Sequence, residues 1–388
     1  MRHIVLYEPD ASGHRLVYVR YILEAIARAG GMRATLVTSR RVQELDWTAL
    51  RARLGDRLAF HVVDEAPVPF GLRWLPAKLA LQFARCRQLR AAVRALGTVD
   101  HVFVPFVDDY CLFPFAWRPR PFGRTPWSGI AVRPRFHLAG TGAQVPPRKE
   151  DRVEAWAYRR LLRDRSLATL FSIDPYIASA LGDPRVVAVC DPADIADERA
   201  DREWLPAAPD AVVLLVYGYV DHRKAIDRLL AVAADPRMPA ALTVALVGAQ
   251  DAGMAPVLRG RDAGALRARG RLIEVARRVS DAEEAAAFAR ADIVWGYYPG
   301  NYCSSGAMVR AGLMERPLMA TQEGLVGLLT RQSGSGLTAP EADDEALLEG
   351  LSQLAGDAGL RARLGQAGRR RFAASTGAAF GDRIAGGL

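Results

Sequence analysis

Short apolar runs alternate with amphipathic segments along most of the chain. In the second half, apolar runs occupy positions 212–216, 242–247 and 272–275, and each is followed by a segment whose apolar residues recur every three or four positions. A short apolar run predicts a buried strand, and the longer period predicts a helix with one apolar face. Regular alternation of the two indicates a parallel, doubly wound sheet that binds ligands beyond the carboxyl ends of its strands.

The first half of the chain shows the same alternation. Apolar runs at 3–7, 34–39, 58–63 and 102–106 predict four strands, and a long amphipathic pattern at 74–96 predicts a helix. We therefore expect an α/β architecture in both halves.

Length and proline content indicate two domains. A chain of 388 residues exceeds what a single hydrophobic core usually holds. The stretch 191–209 contains three prolines and a mixture of charges, which is typical of a linker. We place the first domain at 1–190 and the second at 210–372.

Residues 291–330 have the pattern strand, loop, helix, strand. The loop ends in Ser304, Ser305 and Gly306, directly before the predicted helix. A helix start has free backbone N–H groups and the positive end of the helix dipole, which suits a phosphate. The alternative is an ordinary turn, because most turns of this kind in α/β domains bind nothing.

A second stretch, 212–230, places cations at a comparable position. The predicted strand ends at Gly218, and the turn that precedes the next helix carries Arg223 and Lys224. The chain has only three lysines among 52 basic residues, so a lysine retained here suggests a role as a compact point charge. A solvated lysine in a turn is the alternative.

In this order, the two stretches resemble the carboxyl-terminal half of the retaining GT-B glycosyltransferases of family 4. In that family a Gly-Arg-Leu turn and a Lys-Gly pair follow a strand, and a pair of glutamates precedes Gly-x-Pro-Val. Here Tyr219 stands in place of the arginine and Lys224 matches the lysine. Counted back from Pro317, the glutamate positions fall on Tyr302 and Arg310, and neither is acidic.

The resemblance implies an α/β GT-B fold, with two Rossmann-like, doubly wound parallel-sheet domains that face each other across a cleft. A nucleotide-diphosphate sugar then binds mainly to the second domain and an acceptor to the first. The sugar moves without a cofactor or metal, and the anomeric configuration is retained. The resemblance also implies that the tail, 373–388, returns to the first domain.

The same resemblance implies a set of donor-binding residues. Gly13 lets the backbone of the loop after the first strand approach a ligand, and His14 follows at the helix start. The alternatives are an ordinary tight turn and a surface histidine. The second domain supplies the rest, which are Tyr219, Arg223, Lys224, Tyr302, Ser304, Ser305, Gly306 and Arg310.

Acceptor chemistry is expected near two places in the first domain. Asp108 and Asp109 follow the fourth predicted strand, where one carboxylate can hold or deprotonate an acceptor hydroxyl. The alternative is a helix opening, where acids are common. A loop rich in proline, arginine and aromatic residues carries His137, and such loops commonly bind ligands. We predict catalytic roles for His137 and Asp108.

Charge is unevenly distributed along the chain. Residues 1–190 contain 29 Lys and Arg against 17 Asp and Glu, whereas the remainder is slightly acidic. The predicted helix at 74–96 carries five basic residues and no acid. Such a helix can lie on an anionic membrane surface, or it can pack on the sheet with its charges in water. No nucleic-acid motif accompanies the charge, so no nucleic-acid partner is expected.

Cysteine usage and hydropathy add two expectations. The four cysteines lie far apart, so free thiols and no metal site are predicted. No apolar stretch is long enough to span a membrane and no signal peptide opens the chain, so we expect a cytoplasmic bacterial protein, with contact at the inner membrane face as an option. Acceptors of the family include small molecules, glycans and lipid-linked sugars.

The missing glutamates keep two other functions open. One is a non-catalytic GT-B protein that binds a nucleotide or a partner. The other is a GT-B pseudoglycosyltransferase or nucleotide-sugar epimerase.

Overall fold

The computed structural model describes residues 1–11, 15–64, 74–194 and 201–388, which form two compact units. The first unit comprises Met1–His137, Pro147–Pro192 and Thr376–Leu388. The second comprises Leu138–Pro146 and Ala193–Ser375. The chain thus changes unit near residue 192, within the stretch predicted as a linker, and its last residues group with the first unit.

The first unit is built on a seven-stranded sheet in which every neighbouring pair is parallel. Its strands are β1 (Arg2–Tyr7), β2 (Met32–Thr38), β3 (Leu58–Val62), β4 (His101–Val104), β5 (Trp127–Ala131), β6 (Leu167–Ser172) and β7 (Val186–Ala188). The spatial order is β3-β2-β1-β4-β5-β6-β7. Strands β1, β4 and β5 are almost entirely buried, which explains why they read as continuous apolar runs.

Helices cover both faces of this sheet. They are α1 (Arg15–Ala29), α2 (Arg40–Gln43), α3 (Thr48–Leu54), α4 (Trp74–Ala95), α5 (Val107–Tyr110), α6 (Leu112–Trp117), α7 (Lys149–Leu161) and α8 (Ile177–Leu181). From β1 the chain runs one way to β3 and then the other way to β7. Because crossovers between parallel strands are right-handed, α1 and α3 lie on one face, and α4, α6 and α7 lie on the other.

The second unit has a six-stranded parallel sheet. Its strands are β8 (Val212–Tyr217), β9 (Leu242–Val247), β10 (Leu272–Val275), β11 (Ile293–Gly296), β12 (Leu318–Thr321) and β13 (Gly336–Ala339), in the order β10-β9-β8-β11-β12-β13. Its helices are α9 (Ile226–Ala234), α10 (Ala255–Leu258), α11 (Arg261–Ala268), α12 (Asp281–Arg290), α13 (Gly306–Leu313), α14 (Gly324–Ser333), α15 (Asp344–Gly356) and α16 (Ala358–Phe372).

The predicted α/β fold with parallel sheets is confirmed, but two local predictions need correction and one strand was missed. The single helix predicted after β9 is two helices, because the chain turns at Gly260 between α10 and α11. The fourth strand ends at Val104, and α5 begins at Val107 with Asp108 and Asp109 in its first turn. Strand β13 was not predicted, because its Gly-Leu-Thr-Ala sequence lacks an apolar run.

The last helix, α17 (Gly377–Ala385), belongs to the first unit and packs along α1. The ring of Phe380 lies 4.9 Å from that of Tyr18, and Arg28 pairs with Asp382 at 2.7 Å. Gly381 lies so close to α1 that a Cβ there would come within 2.3 Å of the Tyr21 carbonyl oxygen. The tail is therefore closely packed against the domain that contains the amino terminus.

Candidate functional site

The sheet of the second unit changes direction between β8 and β11. These two strands are neighbours, yet β8 is followed along the chain by β9 and β10 on one side, and β11 by β12 and β13 on the other. The connections that leave the carboxyl ends of β8 and β11 diverge, which opens a crevice at this edge. Both stretches that the sequence marked for phosphate binding begin here.

The backbone beyond β8 is closely packed and lacks side chains at two points. Gly218 has a φ of +90° and Gly248 has a φ of +141°. A Cβ on Gly248 would lie 2.1 Å from the Gly218 carbonyl oxygen, so only glycine fits at position 248. The β8 and β9 connections therefore touch through their main chains and leave the space above them unoccupied by side chains of either residue.

Lys224 is anchored beside this turn. A short 3₁₀ helix, His222–Lys224, is capped by Asp221, which accepts a hydrogen bond from the Arg223 N–H at 3.1 Å. The Lys224 ammonium donates to the Tyr217 carbonyl oxygen at the end of β8. Burial lowers the pKa of Lys224 to about 8. Arg223 instead points outward and pairs with Asp221 at 2.7 Å.

The start of α13 contributes the second half of the site. Ser305 precedes the helix in an extended conformation, and its side chain does not cap the first turn. The N–H groups of Gly306 and Ala307 precede the first N–H that bonds within the helix, that of Met308 to the Ser305 carbonyl oxygen. These groups and the helix dipole make the turn attractive to an anion.

The two halves meet around Tyr298. The Lys224 nitrogen lies 6.0 Å from the centroid of the Tyr298 ring. The Ser305 side chain lies beside the same tyrosine and lowers its pKa, against the larger effect of burial. The Trp295 indole also donates to the Lys224 carbonyl oxygen at 2.8 Å. The structure thus brings the lysine of one predicted element and the helix start of the other to a single place at the edge of the sheet.

Three further predicted donor residues lie in the loops that follow β8 and β11. Tyr219 is half exposed, and its hydroxyl donates to Asp251 at 2.8 Å. Tyr302 is buried, and its carbonyl oxygen accepts the Leu325 N–H at 3.0 Å. Ser304 lies in the loop directly before Ser305, outside any helix. Donor contacts by these three residues remain predictions.

Arg310, at the second glutamate position of the resemblance, is turned toward α12. Its guanidinium pairs with Glu284, and Glu284 also accepts the Tyr217 hydroxyl. The side chains of Arg310 and Glu284 are only 13% and 20% exposed. At the position where the resemblance to family 4 expects an acid on α13, this chain has a base, which pairs with an acid of α12.

Replacing Arg310 with glutamate is expected to lower the free energy of unfolding by about 2 kcal/mol. Two carboxylates would then face each other with little access to water. Urea unfolding measures the loss. The double variant Arg310→Glu/Glu284→Arg restores opposite charges and should recover most of it. If Arg310→Glu were as stable as the parent, the pair would not contribute to the fold.

The predicted residues of the first unit have mixed outcomes. Gly13 and His14 lie outside the described residues. His137 is buried, with Nε2 3.0 Å from Asp174 Oδ2, and its Nδ1 has no hydrogen-bond partner among the described residues. This position favours a structural pair with Asp174. A catalytic role for His137 remains a prediction.

Asp108 connects α5 to the end of β5. Its carboxylate oxygens accept the N–H groups of Val132 at 3.1 Å and Arg133 at 2.5 Å. The side chain is buried, and burial is the main reason that its pKa is raised. Because both oxygens are engaged by the backbone, the predicted contact between Asp108 and an acceptor finds no support in this geometry.

A polar cluster at the switch point of the first sheet, between β1 and β4, joins Asp109 to residues that the sequence did not single out. The Tyr110 hydroxyl donates to Glu8 and accepts a hydrogen bond from Arg15 at 2.7 Å. The same guanidinium pairs with Asp109 at 2.6 Å and stacks on Phe106 at 4.7 Å. Glu8 directly follows β1, and this position after a predicted strand is the sequence signal that could have placed it at the carboxyl edge of the sheet.

Glu8 is the most perturbed carboxyl of this cluster. It is fully buried, and Oε2 has no hydrogen-bond partner among the described residues. Burial raises its pKa to about 7, against the opposing effects of Tyr110 and Arg15. Asp109 is also largely buried, but Arg15 beside it lowers its pKa. The cluster therefore combines a carboxyl that is partly protonated near neutrality with one that stays ionised.

Two doubly wound units, each with polar groups at its switch point, are the GT-B fold of glycosyltransferases. Comparison with solved structures finds similar proteins. The alignment with sucrose-phosphate synthase (tll1590) from Thermosynechococcus elongatus covers 99% of this chain and 97% of that protein, with a TM-score of 0.68 and 16% sequence identity. The alignment with WaaG, a glycosyltransferase involved in lipopolysaccharide biosynthesis, covers 99% of this chain and 98% of WaaG. Its TM-score is 0.64 and the sequence identity is 16%. The alignment with Anabaena Alr3699/HepE in complex with UDP covers 100% of this chain and 99% of HepE. Its TM-score is 0.64 and the sequence identity is 13%.

These likenesses show the fold. No family model and no curated protein sequence matches the chain. Among the described residues, no helix is both long and apolar enough to cross a bilayer.

Proposed function

We propose that this protein is a glycosyltransferase that moves a sugar from a nucleotide-diphosphate sugar to a hydroxyl of an acceptor. The observation that carries the proposal is the meeting of Lys224 and the start of α13 around Tyr298, at the switch point of the second sheet. Structures with this fold include ones with UDP and with a UDP-sugar analogue bound, which supports a nucleotide sugar as the donor.

The proposed chemistry rests on stabilising the leaving diphosphate. Negative charge grows on the phosphate oxygens as the bond to the sugar breaks, and preorganised donors lower the barrier when they are aimed at that charge. Lys224 supplies an ammonium, and Gly306 and Ala307 supply N–H groups at the positive end of α13. Arg223 is mostly exposed and able to reorient toward a phosphate.

We propose further that transfer needs no metal and retains the anomeric configuration. The cationic groups named above supply positive charge at the diphosphate, and the resemblance to family 4 supports retention. On the acceptor side, we propose that Arg15 and Asp109, whose side chains are 15% and 20% exposed, hydrogen-bond a hydroxyl. The cytoplasm remains the predicted location.

A second candidate is nucleotide binding without transfer. Its support is the ion pair between Arg310 and Glu284. Arg310 stands at a position where family 4 has a glutamate, and here that position pairs with α12. An epimerase or pseudoglycosyltransferase would use the same nucleotide site with different ring chemistry.

The proposal is tested in two stages with the full chain. A thermal-shift screen with UDP, GDP, ADP and dTDP identifies the nucleotide, because a ligand that binds only the native state raises the melting temperature. Sugar release or transfer is then measured with nucleotide sugars of the preferred base. Nucleotide binding with turnover supports a glycosyltransferase. Binding without turnover over many acceptors supports the second candidate, and no binding of any nucleotide contradicts both.

A further inference from the structure

Large apolar side chains are exposed on one helical layer of the first unit. Phe83 of α4 is 42% exposed, Trp117 at the end of α6 is 73% exposed, and Val153 and Trp156 of α7 are 52% and 49% exposed. Aromatic side chains of this size are normally buried, so their concentration on three helices calls for an explanation.

The three helices belong to one layer. α6 packs against both α4 and α7, and right-handed crossovers place all three on the same face of the sheet. The exposed side chains therefore project from the outer surface of a single layer, with α6 in the middle.

The outward face of α7 is basic as well as apolar. Helical spacing puts Lys149, Arg152, Val153, Trp156 and Arg160 on one stripe, and all five are exposed. Two of the three acids of this helix point elsewhere: Glu154 accepts the Arg135 and Phe136 N–H groups, and Asp151 pairs with Arg135. The third, Glu150, is exposed in the first turn, one turn before Val153. The stripe thus carries three cations, Lys149, Arg152 and Arg160, against one exposed carboxylate of α7, so it is basic on balance.

The neighbouring helices, α4 and α6, also expose basic residues next to large apolar side chains. On α4, Arg87 lies one turn from Phe83 and is exposed, and this helix has no acidic residue. On α6, Trp117 is followed by the exposed Arg118 and Arg120. Within the part of the chain that the structure describes, no ion pair involves Arg87, Arg118, Arg120, Arg152 or Arg160.

We infer that this basic–aromatic surface, formed by the outer faces of α4, α6 and α7, docks the protein on an anionic lipid bilayer. Unpaired guanidinium groups complement the phosphates of anionic headgroups, and each basic residue near such a surface adds to the affinity. Tryptophan and phenylalanine side chains insert at the boundary between headgroups and acyl chains. This inference does not depend on the proposed transfer reaction.

A bilayer fits these residues better than a nucleic acid does. Phosphate contacts alone would account for the arginines, but a nucleic acid offers no apolar region for Val153 and only stacking for the aromatic rings. A lipid surface takes up both kinds of side chain at once. Binding to nucleic acid is therefore kept as an outcome of the test.

The test is co-sedimentation of the full chain with vesicles of phosphatidylcholine alone or mixed with phosphatidylglycerol. We expect binding only to the mixed vesicles. Arg152→Gln/Arg160→Gln should weaken it at least ~tenfold, because two charges near the surface are lost. Trp117→Ser/Trp156→Ser should weaken it by a similar factor at unchanged net charge. Melting temperatures check that each variant is folded.

The matched control is Arg40→Gln/Arg53→Gln, which removes two exposed arginines from α2 and α3 of the same unit. Because α3 lies on the opposite face of the sheet, this variant should bind vesicles as the parent does. Equal weakening by the control, or no binding to the mixed vesicles, would overturn the inference. So would tryptophan variants that keep full vesicle binding while RNA competes for the surface, since a polyanion site would then explain the arginines.

Discussion

Replacing Lys224 with alanine is expected to weaken the binding of the preferred nucleoside diphosphate by about 30- to 150-fold. A hydrogen bond to a charged group contributes about 1.5–3 kcal/mol, and a buried ammonium against a diphosphate belongs at the upper end of that range. Binding of the nucleoside without phosphates should hardly change. Isothermal titration of both ligands measures the two effects. An equal loss for nucleoside and nucleoside diphosphate would show that Lys224 does not contact the phosphates.

The pH dependence of binding gives an independent check on Lys224. Only the ammonium form attracts the diphosphate, and the pKa of the amine in the free protein is about 8. Affinity should therefore fall above pH 8, and the decline should level off at about 30- to 150-fold, the loss that Lys224→Ala causes, because neutralising the amine removes no more than that. Lys224→Ala should lack this decline. Lys149→Ala, which removes an exposed lysine of the first unit, serves as the control and should bind like the parent.

Replacing Glu8 with glutamine is expected to stabilise the first unit by about 3 kcal/mol at pH 8.5 and to have little effect at pH 4.5. The pKa of Glu8 is about 7 in the folded protein and 4.5 in the reference state. The folded state thus binds this proton more tightly than the unfolded state does. The free energy of unfolding must fall as pH rises from 4.5 to 7, by about 1.4 kcal/mol for each pH unit.

Glutamine reproduces the protonated form of Glu8. Its carbonyl oxygen can accept the same hydrogen bonds from the Tyr110 hydroxyl and the Asp10 N–H. Of the groups that act on Glu8, Arg15 has a raised pKa and stays protonated, and burial keeps Tyr110 neutral, so these two do not mask the change. Urea unfolding at the two pH values measures it.

The control for Glu8 is Glu44→Gln, which neutralises an exposed carboxylate of the same unit and should change stability little at either pH. If Glu8→Gln were less stable than the parent at both pH values, Glu8 would act as an ionised partner of Arg15, and the raised pKa would be wrong.

Much of the architecture could be predicted because the strands and helices of a parallel sheet each have a recognisable local hydrophobic pattern. Strands buried on both faces are short apolar runs, as in β8 and β9, and the helices between them show one apolar side. The placement of Lys224 and the start of α13 after neighbouring strands was predictable for the same reason. The carboxyl ends of neighbouring parallel strands meet at one edge, so residues that directly follow them come close together.

The orientation of individual side chains was harder to predict than the position of their residues in the fold. Asp108 and Asp109 both follow β4, but α5 turns one toward the backbone of β5 and the other toward Arg15. The sequence pair carries no information on this choice, because it depends on where a helix of four residues starts. Arg310 is similar, since its partner Glu284 is supplied by a different helix.

The sequence by itself thus determined the alternation of strands and helices, the parallel sheets, and the glycine and lysine positions at one switch point. These features follow from local periodicity and from the conformational freedom of single residues. The tertiary structure alone decided which charges are paired and which carboxyl keeps its proton. Glu8 and Tyr110 are separated by 102 positions, and the pKa of a buried group depends on neighbours that only the folded sheet brings within hydrogen-bond distance.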